Sequence, residues 1–158
     1  MNLRSKNIII IVKEALTMRE IYKKILVAID GSPQSDNAIH EAIAIAKRNQ
    51  TALDVLYVKD ETRLGGTPYA MPLYLETLEK ESQQVLDAAR QIIKDSVDYT
   101  LHNYTGFPKK EIVQFAEKEA VDLIVMGSNS KNLLDRILVG STSTYVVSHA
   151  PCNVMIVK

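Results

Sequence analysis

Continuous apolar runs, separated by helical patterns, constrain the fold of this chain more than any other feature. Residues 24–30, 121–126 and 153–158 each carry such a run, which is typical of strands buried on both faces of a parallel sheet. Strands that alternate with helices along a chain predict crossover connections. The sequence therefore predicts a three-layer α/β fold, in which a parallel sheet lies between helices on both of its faces.

The boundaries of several elements are marked by residue type. Ser32 followed by Pro33 predicts a helix start, because a serine hydroxyl caps a helix and proline suits its first position. Residues 59–72 contain glycines and prolines and are predicted to form a surface loop. The long helix that follows carries a predicted apolar stripe of Leu75, Leu78, Ser82, Val85, Ala89 and Ile92. Residues 97–102 alternate between apolar and polar side chains, with His102 on the polar side, and predict a half-exposed strand near a sheet edge.

Composition excludes several classes of protein. The 19 Lys and Arg residues balance 19 Asp and Glu residues, whereas a nucleic-acid-binding domain usually carries a basic excess. Cys152 is the single cysteine, so no internal disulfide is possible and a reducing, cytoplasmic location is expected. The apolar run at residues 8–12 is shorter than the roughly 7–15 residues of an export signal and the roughly 20 of a membrane span. We therefore expect a cytoplasmic protein that binds neither nucleic acid nor membrane.

The first twenty residues are predicted to be an extension to a domain formed by residues 21–158. Residues 8–12 suit either an extra edge strand or a loosely packed tail. Met18 is an alternative start of translation. We expect the domain to stay folded when residues 1–17 are removed.

A glycine- and serine-rich pattern near the C-terminus is the most informative motif. It reads Gly127-Ser128-Asn129-Ser130, then nine residues, then Gly140-Ser141-Thr142. Glycine lets a backbone approach a ligand closely, and a helix that begins at Ser141 would present N–H groups and a positive dipole to phosphate. Asp30, at the end of the first predicted strand, is a candidate acceptor for ribose or adenine, although an acid before Gly-Ser-Pro can also serve only to shape the turn.

Taken together, these segments resemble the universal stress protein (UspA) family, over residues 22–158. The resemblance rests on residues 24–32, Gly106-x-Pro108, residues 122–128, Gly140-Ser141-Thr142 and residues 149–154. It implies a five-stranded parallel sheet with helices on both faces, and a homodimer formed through the C-terminal strand. It also implies ATP binding, since the family's ATP-binding branch carries Gly-x-x-Gly, nine residues, then Gly-Ser/Thr.

The resemblance implies a role for each candidate site residue. Asp30 and the Val58 backbone would hold adenine or ribose. Met126, Gly127 and Ser130 would lie along the ribose and phosphates. Gly140, Ser141 and Thr142 would hold the phosphate tail, with Mg²⁺ as a candidate counterion. Ser130 departs from the family pattern, which has glycine there.

Several functions stay open on the sequence alone. The chain is expected to be a nucleotide-binding regulatory module of the stress response, with a protein partner that the sequence does not identify. An interaction module with an empty site is the alternative that Ser130 supports. Slow ATP hydrolysis or phosphotransfer is the other alternative, although no general base or nucleophile is well placed for robust catalysis. A metal site is not expected at His149 and Cys152, because two ligands do not complete one.

Overall fold

The middle layer of the protein is a sheet of six strands, of which five run parallel. The computed structural model describes residues 21–63, 71–128 and 140–158, and the backbone of residues 8–11. Its strands are β1 (Ile8–Ile11), β2 (Ile25–Ile29), β3 (Leu53–Asp60), β4 (Tyr99–Gly106), β5 (Leu123–Gly127) and β6 (Asn153–Val157). Its helices are α1 (Pro33–Asn49), α2 (Met71–Ile93), α3 (Pro108–Lys118) and α4 (Ser141–His149).

The strand order across the sheet is β1-β6-β5-β2-β3-β4. Strands β2 to β6 pair in parallel, which confirms the predicted five-stranded parallel sheet. Strand β1 pairs antiparallel with β6, so the N-terminal apolar run forms the extra edge strand that the sequence left as one of two alternatives. The outer edge of β6, where the resemblance places a second copy of the chain, is therefore occupied by β1 in this structure.

Two apolar cores, one on each face of the sheet, hold the layers together. Helices α1 and α2 cover one face, over a cluster that includes Val27, Val55 and Ile93. Helices α3 and α4 cover the other face, over a cluster that includes Phe115 and Val146. The apolar runs of β2, β5 and β6 contribute to both cores, which explains why these strands show no polar alternation. No helix within the described ranges is long and apolar enough to cross a membrane.

The helix start at Ser32 is confirmed. Ser32 is the N-cap of α1, and its Oγ accepts a hydrogen bond of 3.2 Å from the Ser35 N–H. The last turn of α1 carries Lys47 and Arg48, where the negative end of the helix dipole favours cations.

Two expectations about local structure were wrong in part. The loop predicted for residues 59–72 is shorter at both ends, because β3 continues to Asp60, a 3-10 turn follows at Glu61–Arg63, and α2 begins at Met71. Residues 64–70 lie outside the described residues. The buried stripe of α2 is Leu78, Ser82, Leu86, Ala89 and Ile93, and Leu75 is 49% exposed. The buried face of α2 is rotated relative to the predicted stripe, because it is set by the packing of α2 against α1 and the sheet.

Candidate functional site

The candidate site lies at the point in the sheet where the order of the strands reverses, between β2 and β5. From β2 the chain crosses to β3 on one side, whereas β5 lies on the other side of β2. In sheets of this kind, the crevice beyond the carboxyl ends of the two strands at such a switch point is where ligands bind. Here those strands are β2 and β5, which are followed by Asp30 and Ser128.

The register brings several of the predicted residues to the same level of this edge. Ile29 pairs with Tyr57, and Ala28 pairs with Met126. Asp30 and Val58 come one residue after Ile29 and Tyr57, and Ser128 comes two residues after Met126, which puts all three at the same level. Residues that are far apart in the sequence therefore share one end of the sheet, as expected for the ends of adjacent parallel strands.

Asp30 forms a tight turn at the end of β2. Its Oδ1 accepts hydrogen bonds from the Ser32 N–H at 2.9 Å and the Ser32 Oγ at 2.6 Å. Gly31 between them has a φ of 79°, a conformation that glycine adopts without the steric cost of a side chain. The turn-shaping role of Asp30 is thus present. An ionised carboxylate can accept several hydrogen bonds at once, so this role is compatible with one in ligand binding.

Gly127 is required by packing as well as by its place in the motif. A Cβ added to it would lie 2.7 Å from the Gln34 carbonyl carbon and 2.8 Å from the Ser35 nitrogen. Both atoms belong to the first turn of α1, which therefore sits directly against the end of β5. The absence of a side chain at Gly127 lets α1 start at the switch point.

Val58 and Met126 turn their side chains into the core under α3 and α4. Val58 is 8% exposed and Met126 is 5% exposed. Any contact that these two residues make with a ligand at the sheet edge is therefore expected from their main chain.

Two helices begin at this edge, and their first turns differ. The N-terminus of α1 is capped by Ser32, which accepts from the N–H of Ser35 through its Oγ and from the N–H of Asp36 through its carbonyl. Helix α4 links the carboxyl end of β5 to the amino end of β6, so it also starts at this edge. Its N-cap is Gly140, which has no side chain to accept from the first N–H groups. The first turn of α4 is therefore the better candidate for an anion.

Of the side chains in the first turn of α4, some face solvent and one is buried. Ser141 is exposed and Thr142 is half-buried. Ser143 is 2% exposed and its Oγ donates to the Gly140 carbonyl at 3.0 Å. Gly140 has a φ of −59° and a ψ of 165°, which other residues also adopt, so backbone strain gives no reason for a glycine there. Ser130 lies outside the described residues.

A group of charged and phenolic side chains beside the site was missed by the sequence analysis. Tyr57 is 7% exposed; burial raises the pKa of its phenol, and the negative charge of Glu81 raises it further, while Arg63 opposes this. Asp30 is among the charges that act on Tyr57. Arg63 binds both carboxylate oxygens of Glu81, at 2.8 and 3.3 Å, and so ties the 3-10 turn to α2. The alternation of β3 could have placed Tyr57 next to this edge, but only the fold brings Glu81 to it.

The discounted histidines and the cysteine have structural surroundings. The described residues hold no group of three or more His, Cys, Asp or Glu side chains that could bind a metal. The His149 ring stacks on Tyr145 at 3.9 Å between centroids, and Cys152 is buried. His102 was expected on a polar face; instead its Nε2 contacts Asp54 Oδ1 at 2.8 Å and its ring packs against Phe115.

Comparison with known proteins places these features in a family. A sequence model of the universal stress protein family matches residues 21–158. The universal stress protein MJ0531 of Methanocaldococcus jannaschii is 38% identical over 141 residues, which are 87% of this chain and 83% of that protein. The solved structure of UspA from Lactobacillus plantarum superposes with a TM-score of 0.77 at 38% identity, covering 87% of this chain and 99% of that one.

Two more distant structures of the same family were solved with nucleotides. A universal stress protein from Archaeoglobus fulgidus in complex with dAMP has a TM-score of 0.63 at 24% identity, covering 87% of this chain and 99% of that one. A universal stress protein in complex with cAMP has a TM-score of 0.57 at 22% identity, covering 87% of this chain and 98% of that one. At this identity they support the fold alone. The match over residues 21–158 and the 38% identity show that the chain belongs to the universal stress protein family.

Proposed function

We propose that this protein is a nucleotide-binding regulatory module of the stress response, and that it binds ATP in the crevice between the carboxyl ends of β2 and β5. The observation that carries the proposal is the pair of helix starts at this edge. Helix α1 is capped by the side chain of Ser32. Helix α4 begins at Gly140, which has no side chain to accept from the first N–H groups, so these can donate to a ligand. Such N–H groups, with the positive end of the helix dipole, favour phosphate.

The proposed placement of the nucleotide rests on the family resemblance, and the register between β2 and β3 supports it for Asp30 and Val58. Asp30, just past the end of β2, and the main chain of Val58, one residue beyond the part of β3 that pairs with β2, hold the adenine or ribose. Gly127 and the segment that includes Met126 and Ser130 follow the ribose toward the phosphates. The phosphate tail lies at the first turn of α4, at Gly140, Ser141 and Thr142.

We propose an adenine nucleotide as the ligand class because the chain belongs to the family of which other members were solved with dAMP and cAMP. ATP is preferred here because the start of α4 offers several donors in one turn to a phosphate chain. The described residues contain no carboxylate cluster for a metal, so Mg²⁺ would be held mainly by phosphate oxygens and water, as is usual for this ion.

Location and assembly complete the proposal. Cys152 is the single cysteine and is buried, and the lack of a second cysteine for a disulfide fits a reducing cytoplasm. A homodimer through β6 is proposed from the family resemblance, since an apolar edge strand tends to pair with another strand. In this structure that edge is already paired with β1.

Isothermal titration calorimetry with ATP tests the proposal. Gly140→Val is expected to abolish binding while the far-UV circular dichroism spectrum stays unchanged, because a branched side chain would fill the start of α4. Asp30→Ala is expected to weaken binding by about 1–3 kcal/mol, the usual loss for a hydrogen bond to a charged group. Arg90→Ala is the control, because Arg90 lies in the last turn of α2, at the opposite end of the sheet.

Ser130→Gly separates the proposal from its alternative. It restores the glycine of the family pattern and is expected to keep or tighten ATP binding. If the wild-type protein shows no heat with ATP and Ser130→Gly gains it, the site is closed by Ser130 and the protein is an interaction module with an empty site. If Gly140→Val binds as tightly as wild type, the phosphates do not lie at α4.

A further inference from the structure

The outer edge of β6 has backbone groups with which more than one strand could pair. β6 is buried along its whole length, with Val154 and Ile156 in one core and Met155 and Val157 in the other. One side of its backbone pairs with β5. The other side presents N–H and C=O groups that need a further strand, because unpaired backbone groups next to a core are costly.

β1 takes this edge almost completely. Its four residues pair with residues 154–157, from Ile8 opposite Val157 to Ile11 opposite Val154. This register covers four of the five residues of β6. A strand edge accepts one partner at a time. While β1 is seated, a second copy of the chain has no access to the same backbone groups.

The covalent connection favours β1 over a second copy. β1 ends and β2 begins at the same end of the sheet, since Ile11 lies opposite Val154, and Ile25 is level with Leu123 and Asn153. Three strand spacings separate them, about 14 Å at 4.7–4.9 Å each. The 13 residues from 12 to 24 could reach about 43 Å if fully extended, so their number is sufficient for this distance.

A tether of this kind gives β1 an effective concentration on the order of millimolar at its own β6. A second copy present at micromolar concentration competes at a disadvantage of roughly a hundredfold or more. Sequence adds to this preference: β1 is four consecutive isoleucines, a residue type strongly favoured in strands. Lys6 and Lys13 flank the run, and charges at the ends of a short edge strand discourage further pairing.

We propose that β1 is an edge cap that controls self-association of this protein: β1 and a second copy of the chain compete for the same backbone edge of β6. With β1 paired to β6, the β6 edge is closed to a second copy, so the homodimer proposed above forms only from chains whose β1 has left this edge. With β1 displaced or removed, β6 pairs with β6 of a second copy across a two-fold axis. The inference rests on the proposed β6 dimer, and not on nucleotide binding.

Sedimentation equilibrium of the full chain and of a chain without residues 1–17 tests the proposal. The truncated chain is expected to dimerise at a protein concentration at least about tenfold lower than the full chain does, because it loses the tethered competitor. A cooperative thermal melt of the truncated chain shows that the domain is folded. Equal association of the two chains, or a dimer that truncation abolishes, overturns the proposal.

A disulfide variant tests the same idea without removing any residue. Ile9 lies opposite Ile156, and opposed residues of an antiparallel pair have Cα atoms about 4.5–5.5 Å apart, within the range that a disulfide spans. Ile9→Cys with Ile156→Cys, in a Cys152→Ala background, is expected to form a disulfide within one chain and to give a locked monomer. A disulfide between two chains, or none, overturns the proposal.

ATP titration of the truncated chain keeps this inference separate from the proposed function. β1 lies on the far side of β6 and β5 from the switch point, so we expect ATP affinity to change by less than about twofold. Loss of ATP binding in the full and truncated chains alike would refute the nucleotide proposal and leave the cap intact. Loss of ATP binding in the truncated chain alone would show that β1 acts on the nucleotide site. That result would overturn the proposal that β1 acts only on self-association.

Discussion

Gly127→Ala gives the sharpest test of how this fold builds its site. The new Cβ would lie 2.7 Å from the Gln34 carbonyl carbon and 2.8 Å from the Ser35 nitrogen, whereas ordinary contacts begin at 3.4 Å. The start of α1 must therefore retreat by about 0.7 Å to reach that distance. Both atoms belong to the backbone of a capped helix start, so no flexible side chain can absorb the shift.

The expected cost follows from this overlap. Overpacking of a close contact costs about 1–3 kcal/mol. For chains of this size about 2–4 °C of melting temperature is lost per kcal/mol, so Gly127→Ala is expected to melt about 2–12 °C below wild type. The retreat also strains the 3.2 Å hydrogen bond from the Asp30 N–H to Ser35 Oγ, so ATP affinity is expected to fall with stability.

Thermal unfolding followed by circular dichroism measures the effect, and Gly140→Ala is the matched control. Gly140 has an ordinary backbone conformation, so alanine brings no backbone strain there; alanine is a poorer N-cap than glycine, and we expect a loss of about 1 kcal/mol. A melting temperature of Gly127→Ala within about 1 °C of wild type would refute the argument that α1 is positioned by the missing side chain.

Three further predictions concern the surroundings of the site and the sheet. Burial and the charge of Glu81 raise the pKa of the Tyr57 phenol above its usual value of about 10. The free energy of unfolding is therefore expected to fall as pH rises through and above that value, and Tyr57→Phe should reduce this loss. Urea unfolding at neutral and at alkaline pH measures this, and an equal loss of stability in wild type and Tyr57→Phe would show that burial does not raise the pKa of this phenol. Asn103 Nδ2 donates to Ser82 Oγ at 3.1 Å, while its Oδ1 is buried without a partner among the described residues. In urea unfolding, Ser82→Ala should therefore lower the free energy of unfolding by about 1–3 kcal/mol, and the double variant with Asn103→Val should recover most of that loss. A double variant whose loss is the sum of the two single losses would contradict this. The contact between His102 and Asp54 predicts a coupling energy of about 0.5–3 kcal/mol in a double-mutant cycle with alanine, and a coupling near zero would show that the pair does not stabilise the fold.

The sequence by itself determined the elements whose signals are local. The apolar runs of β2, β5 and β6 predicted buried parallel strands, because each run is long enough to fill both faces of a sheet. Ser32 and Gly140 predicted two helix starts, because caps depend only on neighbouring residues. The family resemblance, carried by the same segments, predicted the five-stranded sheet that the structure confirms.

Only the tertiary structure decided which residues meet. It placed the N-terminal run on β6 rather than leaving it as a tail, and it showed that Gly127 is needed by α1. It also set His102 against Asp54 under α3, and left Leu75 exposed, against the sequence expectation. The physical reason is the same in each case. Periodicity and caps act over a few residues, whereas strand order, register and helix packing bring together residues that are tens of positions apart, through contacts that no local pattern records.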